Sequence, residues 1–209
     1  MKHLLPGVAA MAVIVVTSNI LVQFLLFGGI LTWGAFTYPF AFLVTDIMNR
    51  VYGAKSARRV VYAGTVVGII CSLIGTQVQL EYGPAVVLRV AIGSASAFFV
   101  AQLMDVTVFN RLRAGSWWRA PLVSTLVSST LDTITFFSIA FSGLFNIFGP
   151  TADGAVAWAQ GPAPFMTVGP DAPLWTSLAV ADYSVKLTIA MFALVPFRII
   201  VGRMLQRPA

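Results

Sequence analysis

Six ionisable side chains lie inside or at the edge of long apolar runs: Asp46, Arg89, Asp105, Asp132, Asp182 and Lys186. A charge placed in hydrocarbon is expensive and ordinarily faces a bundle interior or a water-filled cavity, so such residues mark the face where binding or proton transfer happens. Asp132, in "SSTLDTITFF", is nearest the middle of its run and has no opposite charge close in sequence. Any partner must come from another segment, either in a purely structural buried pair or at a binding or proton-carrying carboxylate. Asp182 and Lys186 are four apart and share one helix face. They can neutralise each other. If Lys186 turns to Asp132 instead, Asp182 is left for another role.

Amides and rings add hydrogen-bonding and stacking capacity. Asn19 and Gln23 are also four apart, either joining helices through their amides or meeting a ligand. Gln102 has the same two uses. Trp33, Phe36, Tyr38, Phe40 and Phe42 surround Pro39, which has no amide hydrogen and interrupts a helix. Backbone carbonyls freed at membrane depth are tolerated where they are buried in protein or line a cavity. Trp33 and Phe40 are therefore candidates for stacking on a flat ligand, against a simpler role as interfacial or lipid-facing rings. The remaining charges read as edge features. Arg89 stands near the outer end of its run within reach of Glu81, where snorkelling explains it. Asp46 is one turn from Arg50, and Asp105 lies shortly before Asn110-Arg111, which suggests ion pairs at a cytoplasmic edge.

These side chains need segments that hold them in a membrane. Of 209 residues, 58% are hydrophobic and 10% charged, whereas a soluble domain has roughly a quarter of its residues charged. A water-facing surface could not be covered, so the chain reads as an all-α polytopic membrane bundle forming a single domain over 1–209. About 20 apolar residues cross the hydrocarbon core. Six segments qualify, near 5–27, 30–49, 58–80, 86–110, 119–143 and 173–197, the second broken near Pro39. The first is too long for the core of a cleaved signal. With the N-terminus inside, the cytoplasmic loops and ends collect Lys2, Arg50, Lys55, Arg58, Arg59, Arg111, Arg113, Arg119, Arg198, Arg203 and Arg207. Only Arg89 and Lys186 of the 13 basic residues fall elsewhere. This asymmetry predicts both termini in the cytoplasm, and it makes the net charge of +6 a topology signal rather than a nucleic-acid footprint.

The one long connection, about 142–171, is rich in proline and glycine. It reads first as an exposed loop and second as a lid over an outward-facing site. "DIMNR" at 46–50 and "DVTVFNRLR" at 105–113 form a weak internal echo of the kind seen in two-halved carriers. His3 is the only histidine and Cys71 the only cysteine, so neither a metal centre, a cofactor nor an intrachain disulfide is expected.

Four stretches, "TWGAFTYPFAFLVTDIMNRVYGAKSARRVV" (32–61), "QLMDVTVFNRLR" (102–113), "WWRAPLVSTLVSSTLDTITFFSIAF" (117–141) and "VADYSVKLTIAMFALVP" (180–196), resemble the bacterial queuosine-precursor transporters, the YhhQ-type members of the vitamin-uptake-transporter-like family. The resemblance implies a six-helix inner-membrane carrier, not an enzyme, that imports 7-cyano-7-deazaguanine and related 7-deazaguanines for tRNA modification. Many relatives have an acid where this chain has Arg50. A 7-deazaguanine offers a ring N–H beside an exocyclic amine, which a carboxylate accepts bidentately, and a carbonyl suited to an amide donor. On that chemistry Asp132 takes the donor edge, Gln102 or Asn19 the carbonyl and Trp33 or Phe40 the ring, while Lys186 balances charge. Two rivals stay open: a carrier for another purine-like solute or vitamin, and the substrate-binding membrane subunit of an ATP-driven importer. The chain has no Walker-type loop of its own. A homo-oligomer also stays open.

Overall fold

A computed structural model describes residues 4–22, 24–81 and 83–206. Lys2, His3, Gln23 and Arg207, named above, lie outside the described residues. The chain is mostly helical, with the order α1 (Leu5–Leu21), α2 (Gly34–Thr37), α3 (Phe40–Tyr52), α4 (Ala54–Gln77), α5 (Leu88–Leu112), α6 (Arg119–Phe141), α7 (Pro150–Gly154) and α8 (Leu174–Leu205). Four of these, α4, α5, α6 and α8, are long and apolar enough to cross a membrane, and α1 is a shorter apolar helix. Their outward faces carry large exposed hydrophobics, among them Val66, Ile70, Leu73 and Ile74 on α4 and Met191, Phe192 and Val195 on α8. So much continuous apolar surface would be a liability in water and suits lipid. The chain is a multi-pass membrane protein.

Some boundaries differ from expectation for local reasons. The first apolar segment stops being helical at Leu21 instead of reaching residue 27. Strands Leu25–Leu26 and Leu31–Thr32 pair there as a small hairpin, with Gly29 at a φ of +96° that favours glycine. The last helix runs past Pro196 to Leu205, eight residues beyond the expected end. The break near Pro39 is a tightening rather than a bend: Tyr38 and Pro39 keep helical dihedrals, while Ala41 and Phe42 bond back three residues, to Tyr38 and Pro39. Pro39 offers no N–H to the carbonyl of Ala35. The long connection is structured, with short helical turns, α7 and a hairpin between Pro162–Pro164 and Asp171–Pro173.

Packing puts α3 at the centre, against α1, α4, α5, α6 and α8, with α5 and α6 in long contact and α8 on α6. Met11, Val15, Ala41, Met48, Val60, Val61, Phe98 and Val106 form the main apolar core. Phe109, Ala120, Phe197 and Val201 form a second, near the arginine-rich end. Small residues allow the close approaches on which membrane helix packing relies. A β-carbon on Gly34 would stand 3.0 Å from the backbone of Ser18 and Val22, and one on Gly93 would stand 3.3 Å from Ala140. The Gly34 neighbours are backbone and cannot swing aside. Gly34→Ala is therefore expected to destabilise the protein by about 1–3 kcal/mol through overpacking, seen as a lower melting temperature in detergent. Melting at the wild-type temperature would contradict this packing.

Candidate functional site

Three elements meet at one ammonium. Helix α8 carries Asp182 and Lys186 one turn apart, α6 carries Asp132 and Thr133, and the α2–α3 junction carries Tyr38. Lys186 Nζ donates to Asp132 Oδ2 at 2.6 Å and to Thr133 Oγ1 at 3.1 Å, and it pairs with Asp182 Oδ2 at 2.5 Å. All three of its donors are used. Tyr38 Oη donates to Asp132 Oδ1 at 2.8 Å, and its ring lies 5.5 Å from the ammonium. Asp132 thus has both oxygens engaged. Asp182 has one: Oδ2 also accepts from Thr133 at 3.2 Å, and no hydrogen bond among the described residues reaches Oδ1. Two carboxylates against one ammonium leave a formal surplus of one negative charge, a setting that favours a donor-rich or cationic ligand.

The cluster borders a cavity of about 410 Å³, within the size range of small-molecule sites. Ser18 and Asn19 of α1, the α2–α3 junction with Ala35 and Tyr38, and Phe98 of α5 line it together with Phe136, Phe137 and Phe141 of α6 and Trp158 of the long connection. The rings touch in sequence, Phe136 to Phe141 at 5.9 Å and Phe141 to Trp158 at 6.0 Å. Asn19 Nδ2 donates to Val15 O at 2.9 Å, leaving its carbonyl oxygen and second N–H for a ligand.

Of the residues singled out in sequence, the structure brings Asp132, Asp182, Lys186 and Asn19 together at this cavity. It puts the others elsewhere. Trp33 and Phe40 are largely exposed on the outer surface and do not line the cavity. Gln102 is fully buried with its Oε1 accepting from Thr45. Arg89 does not snorkel: it is fully buried and donates to Ile139 O at 2.7 Å, to Asn146 Oδ1 at 2.6 Å, to Ser142 O, and to Asp153 Oδ1 in a 3.0 Å ion pair. Its real partners all belong to the end of α6 and the long connection, so one guanidinium pins the segment that brings Trp158 to the cavity. This removes the reading of that segment as a merely exposed loop.

Asp46 and Asp105 are corrections too. Among the described residues neither pairs with an arginine. Asp46 is 2% exposed and accepts from Ser124 and Thr125 at 3.3 and 3.4 Å. Asp105 is fully buried and accepts from Ser128 at 3.1 Å. Arg50 instead donates to the carbonyl of Arg113, whose guanidinium returns a 2.9 Å bond to the carbonyl of Arg50, and Arg111 is exposed at the end of α5. The acids bond α6 hydroxyls, while the longer Arg50 side chain, although on the same face of α3 as Asp46, reaches the carbonyl of Arg113. The hydroxyl series Ser124, Thr125, Ser128 and Ser129, all on α6, was the available signal. The α6 phenylalanines were the cavity residues not foreseen, and Tyr38, named only as one of the rings around Pro39, was not foreseen as the partner of Asp132.

A helical membrane protein with an aromatic-lined cavity and a charged cluster on its apolar helices belongs to the class of solute carriers and binding subunits. Residues 32–201 match the family model described as "Putative vitamin uptake transporter", and the chain belongs to that family. It is 33% identical over 210 residues to the queuosine precursor transporter of Escherichia coli K12, covering 94% of this chain and 85% of the relative. It is 36% identical over 176 residues to the probable queuosine precursor transporter of Haemophilus influenzae Rd, covering 79% and 66%. The corresponding Bacillus subtilis 168 protein, also named a probable queuosine precursor transporter, is 26% identical over 187 residues, covering 81% and 71%. No solved structure is significantly similar to the chain.

Removing one member of a buried ion cluster leaves uncompensated charge, at a cost of about 3–5 kcal/mol. Lys186→Met is expected to lower the detergent melting temperature sharply, and adding Asp132→Asn to it is expected to recover much of the loss. Losses that simply add would contradict the coupling drawn from the geometry.

Proposed function

We propose that the protein is an inner-membrane uptake carrier for queuosine precursors, 7-cyano-7-deazaguanine and related 7-deazaguanines, supplying tRNA modification. It is a single domain that crosses the membrane six times with both termini in the cytoplasm, and it is not an enzyme. The names of the relatives and the family resemblance support the substrate class, and the basic residues gathered at one end of the bundle support the orientation. The observation that carries the reading is the surplus carboxylate at the cavity: Asp182 lines the ring-lined space, and its Oδ1 accepts no hydrogen bond among the described residues.

The chemistry of a 7-deazaguanine fits this space. Its ring N–H and exocyclic amine supply the donors that Asp182 lacks. Its carbonyl meets the spare N–H of Asn19, and its flat ring lies among Phe98, Phe136, Phe137 and Trp158. Asp132, first in line for the donor edge on sequence grounds, is occupied here by Tyr38 and Lys186. Its part is to hold the ammonium and the phenol in place, so that the ligand meets a preorganised acceptor. Trp158, on the segment latched by Arg89, covers the cavity at the end away from the arginines.

A hydrogen bond to a charged group contributes about 1.5–3 kcal/mol. Asp182→Asn is accordingly expected to weaken uptake of labelled 7-cyano-7-deazaguanine by cells at least about tenfold. Unlabelled guanine, which shares the donor edge, is expected to compete, and adenine, which lacks the ring N–H and carbonyl pairing, is not. Uptake unchanged in Asp182→Asn, or equal competition by adenine, would contradict the assignment.

A further inference from the structure

Below the ligand cavity lies a second polar layer that ligand recognition does not use. Thr45, Asp46 and Asn49 of α3, Gln102 and Asp105 of α5, and Ser124, Thr125, Ser128 and Ser129 of α6 are all buried there. Thr45 of α3 bonds Gln102 of α5 and Asn49 donates to the Val106 carbonyl, which brings Asp46 beside Asp105, and Ser124 and Ser128, one turn apart on α6, donate to Asp46 and Asp105 at 3.3 and 3.1 Å. From Asp132 to Ser128 and Ser124 on α6 is four and eight residues, about 6 and 12 Å along the helix axis. The layer is therefore separate from the cavity yet built on the same helix.

No cation compensates this pair among the described residues. On α3 and α5, Arg50 and Arg113 are engaged with each other's carbonyls, and Arg111 is exposed. On α4, Lys55, Arg58 and Arg59 are exposed. The α8 residues that share a small cavity with Asp46 are Ala190, Ala193, Leu194 and Phe197, and Lys186 is held by Asp132 and Asp182. Helix α1 has no titratable side chain. Two adjacent carboxylates without a cation in a low-dielectric interior cannot both carry charge.

The hydrogen-bond inventory marks where the missing proton belongs. Asp105 Oδ2 has no donor, although it is buried. A shared proton between the two carboxyls supplies one. Independently, Gln102 is fully buried one turn from Asp105, and its amide Nε2 has no acceptor. Its Oε1 is anchored by Thr45, the neighbour of Asp46, so the N–H pair is held in the layer as an unused donor. A buried donor left idle costs about 1–3 kcal/mol, and it finds use when a carboxylate nearby becomes charged. The cavity of about 10 Å³ beside Asp46 approaches the space one water needs, with Asp46 and Thr125 as its polar lining.

We propose that the Asp46–Asp105 pair is a proton-binding site, distinct from the ligand cavity, that couples uptake to the proton gradient. The proton sits between the two carboxyls in the state described. It leaves toward the arginine-rich end, and Gln102 then donates to the charge that remains. One proton moves with each substrate. The inference rests on the carrier reading above.

The test uses the purified full-length protein in liposomes with 7-cyano-7-deazaguanine and an entrapped pH dye. Wild type is expected to acidify the lumen when substrate is added outside, and to accumulate substrate about tenfold per unit of inward proton gradient, the thermodynamic limit for one proton per substrate. Asp105→Asn and Asp46→Asn are expected to keep substrate counterflow but lose the gradient-driven accumulation. Wild-type counterflow without proton movement, accumulation driven by a sodium gradient instead, or gradient-driven accumulation retained in both variants would overturn the coupling site alone. Absence of counterflow in wild type would overturn the carrier reading and this inference with it. If neither asparagine variant folds, the wild-type dye measurement decides the coupling, and Asp105→Glu, which keeps a carboxyl, decides the site: unchanged pH dependence of accumulation in it would overturn the assignment.

Discussion

The interior of this protein is arranged around the need to leave no charge uncompensated in hydrocarbon. Lys186 Nζ is the focal case. An ammonium at membrane depth is tolerable because three acceptors from two helices close around it. That requirement fixes the rotation of α8 against α6, and through Tyr38 it fixes the α2–α3 junction as well. The junction tolerates Pro39 because the chain there tightens to shorter hydrogen bonds beside a cavity, where an under-bonded carbonyl can be solvated or meet a ligand. Arg89 applies the same rule at the opposite end of α5. Its five N–H groups need acceptors, and the end of α6 and the long connection supply them, which converts a loop into a wall of the cavity.

Helix α6 unites the two polar layers. One stretch of it bears Asp132 and Thr133 at the ligand cavity and, one to two turns away, the hydroxyls that hold Asp46 and Asp105. Helix α3 begins next to Tyr38 and contains Asp46. The 13 residues of α3 thus link the junction at the ligand cavity to the acid pair.

Much of the architecture was legible in the sequence, and much of the site was not, for reasons that particular residues make clear. Long apolar runs and the gathering of arginines depend only on composition along the chain, so the helical segments were placed to within a few residues, apart from the hairpin after Leu21 and the extension past Pro196. Asp132, Asp182 and Lys186 were legible because a charge in an apolar run is costly wherever it points. Their pairing was not, since spacing alone left Lys186 equally free to neutralise Asp182 or reach Asp132, and the structure has it do both. Asp46 and Asp105 were misread because arginines stand close in sequence. Four residues of separation puts Asp46 and Arg50 on one helix face but does not make them partners, and here the α6 hydroxyls take the acids. Arg89 was misread for the converse reason, its acceptors lying 50 or more residues further along the chain.

The central claim is that this chain alone moves a 7-deazaguanine across a membrane through the cavity that Lys186 organises. Uptake of labelled 7-cyano-7-deazaguanine into liposomes containing only the purified protein, with no nucleotide present, tests it most directly. The expected result is saturable, time-dependent uptake well above that of protein-free vesicles. Uptake that stays at the protein-free level until an ATP-hydrolysing partner is added would contradict it, and would make the chain a binding subunit instead.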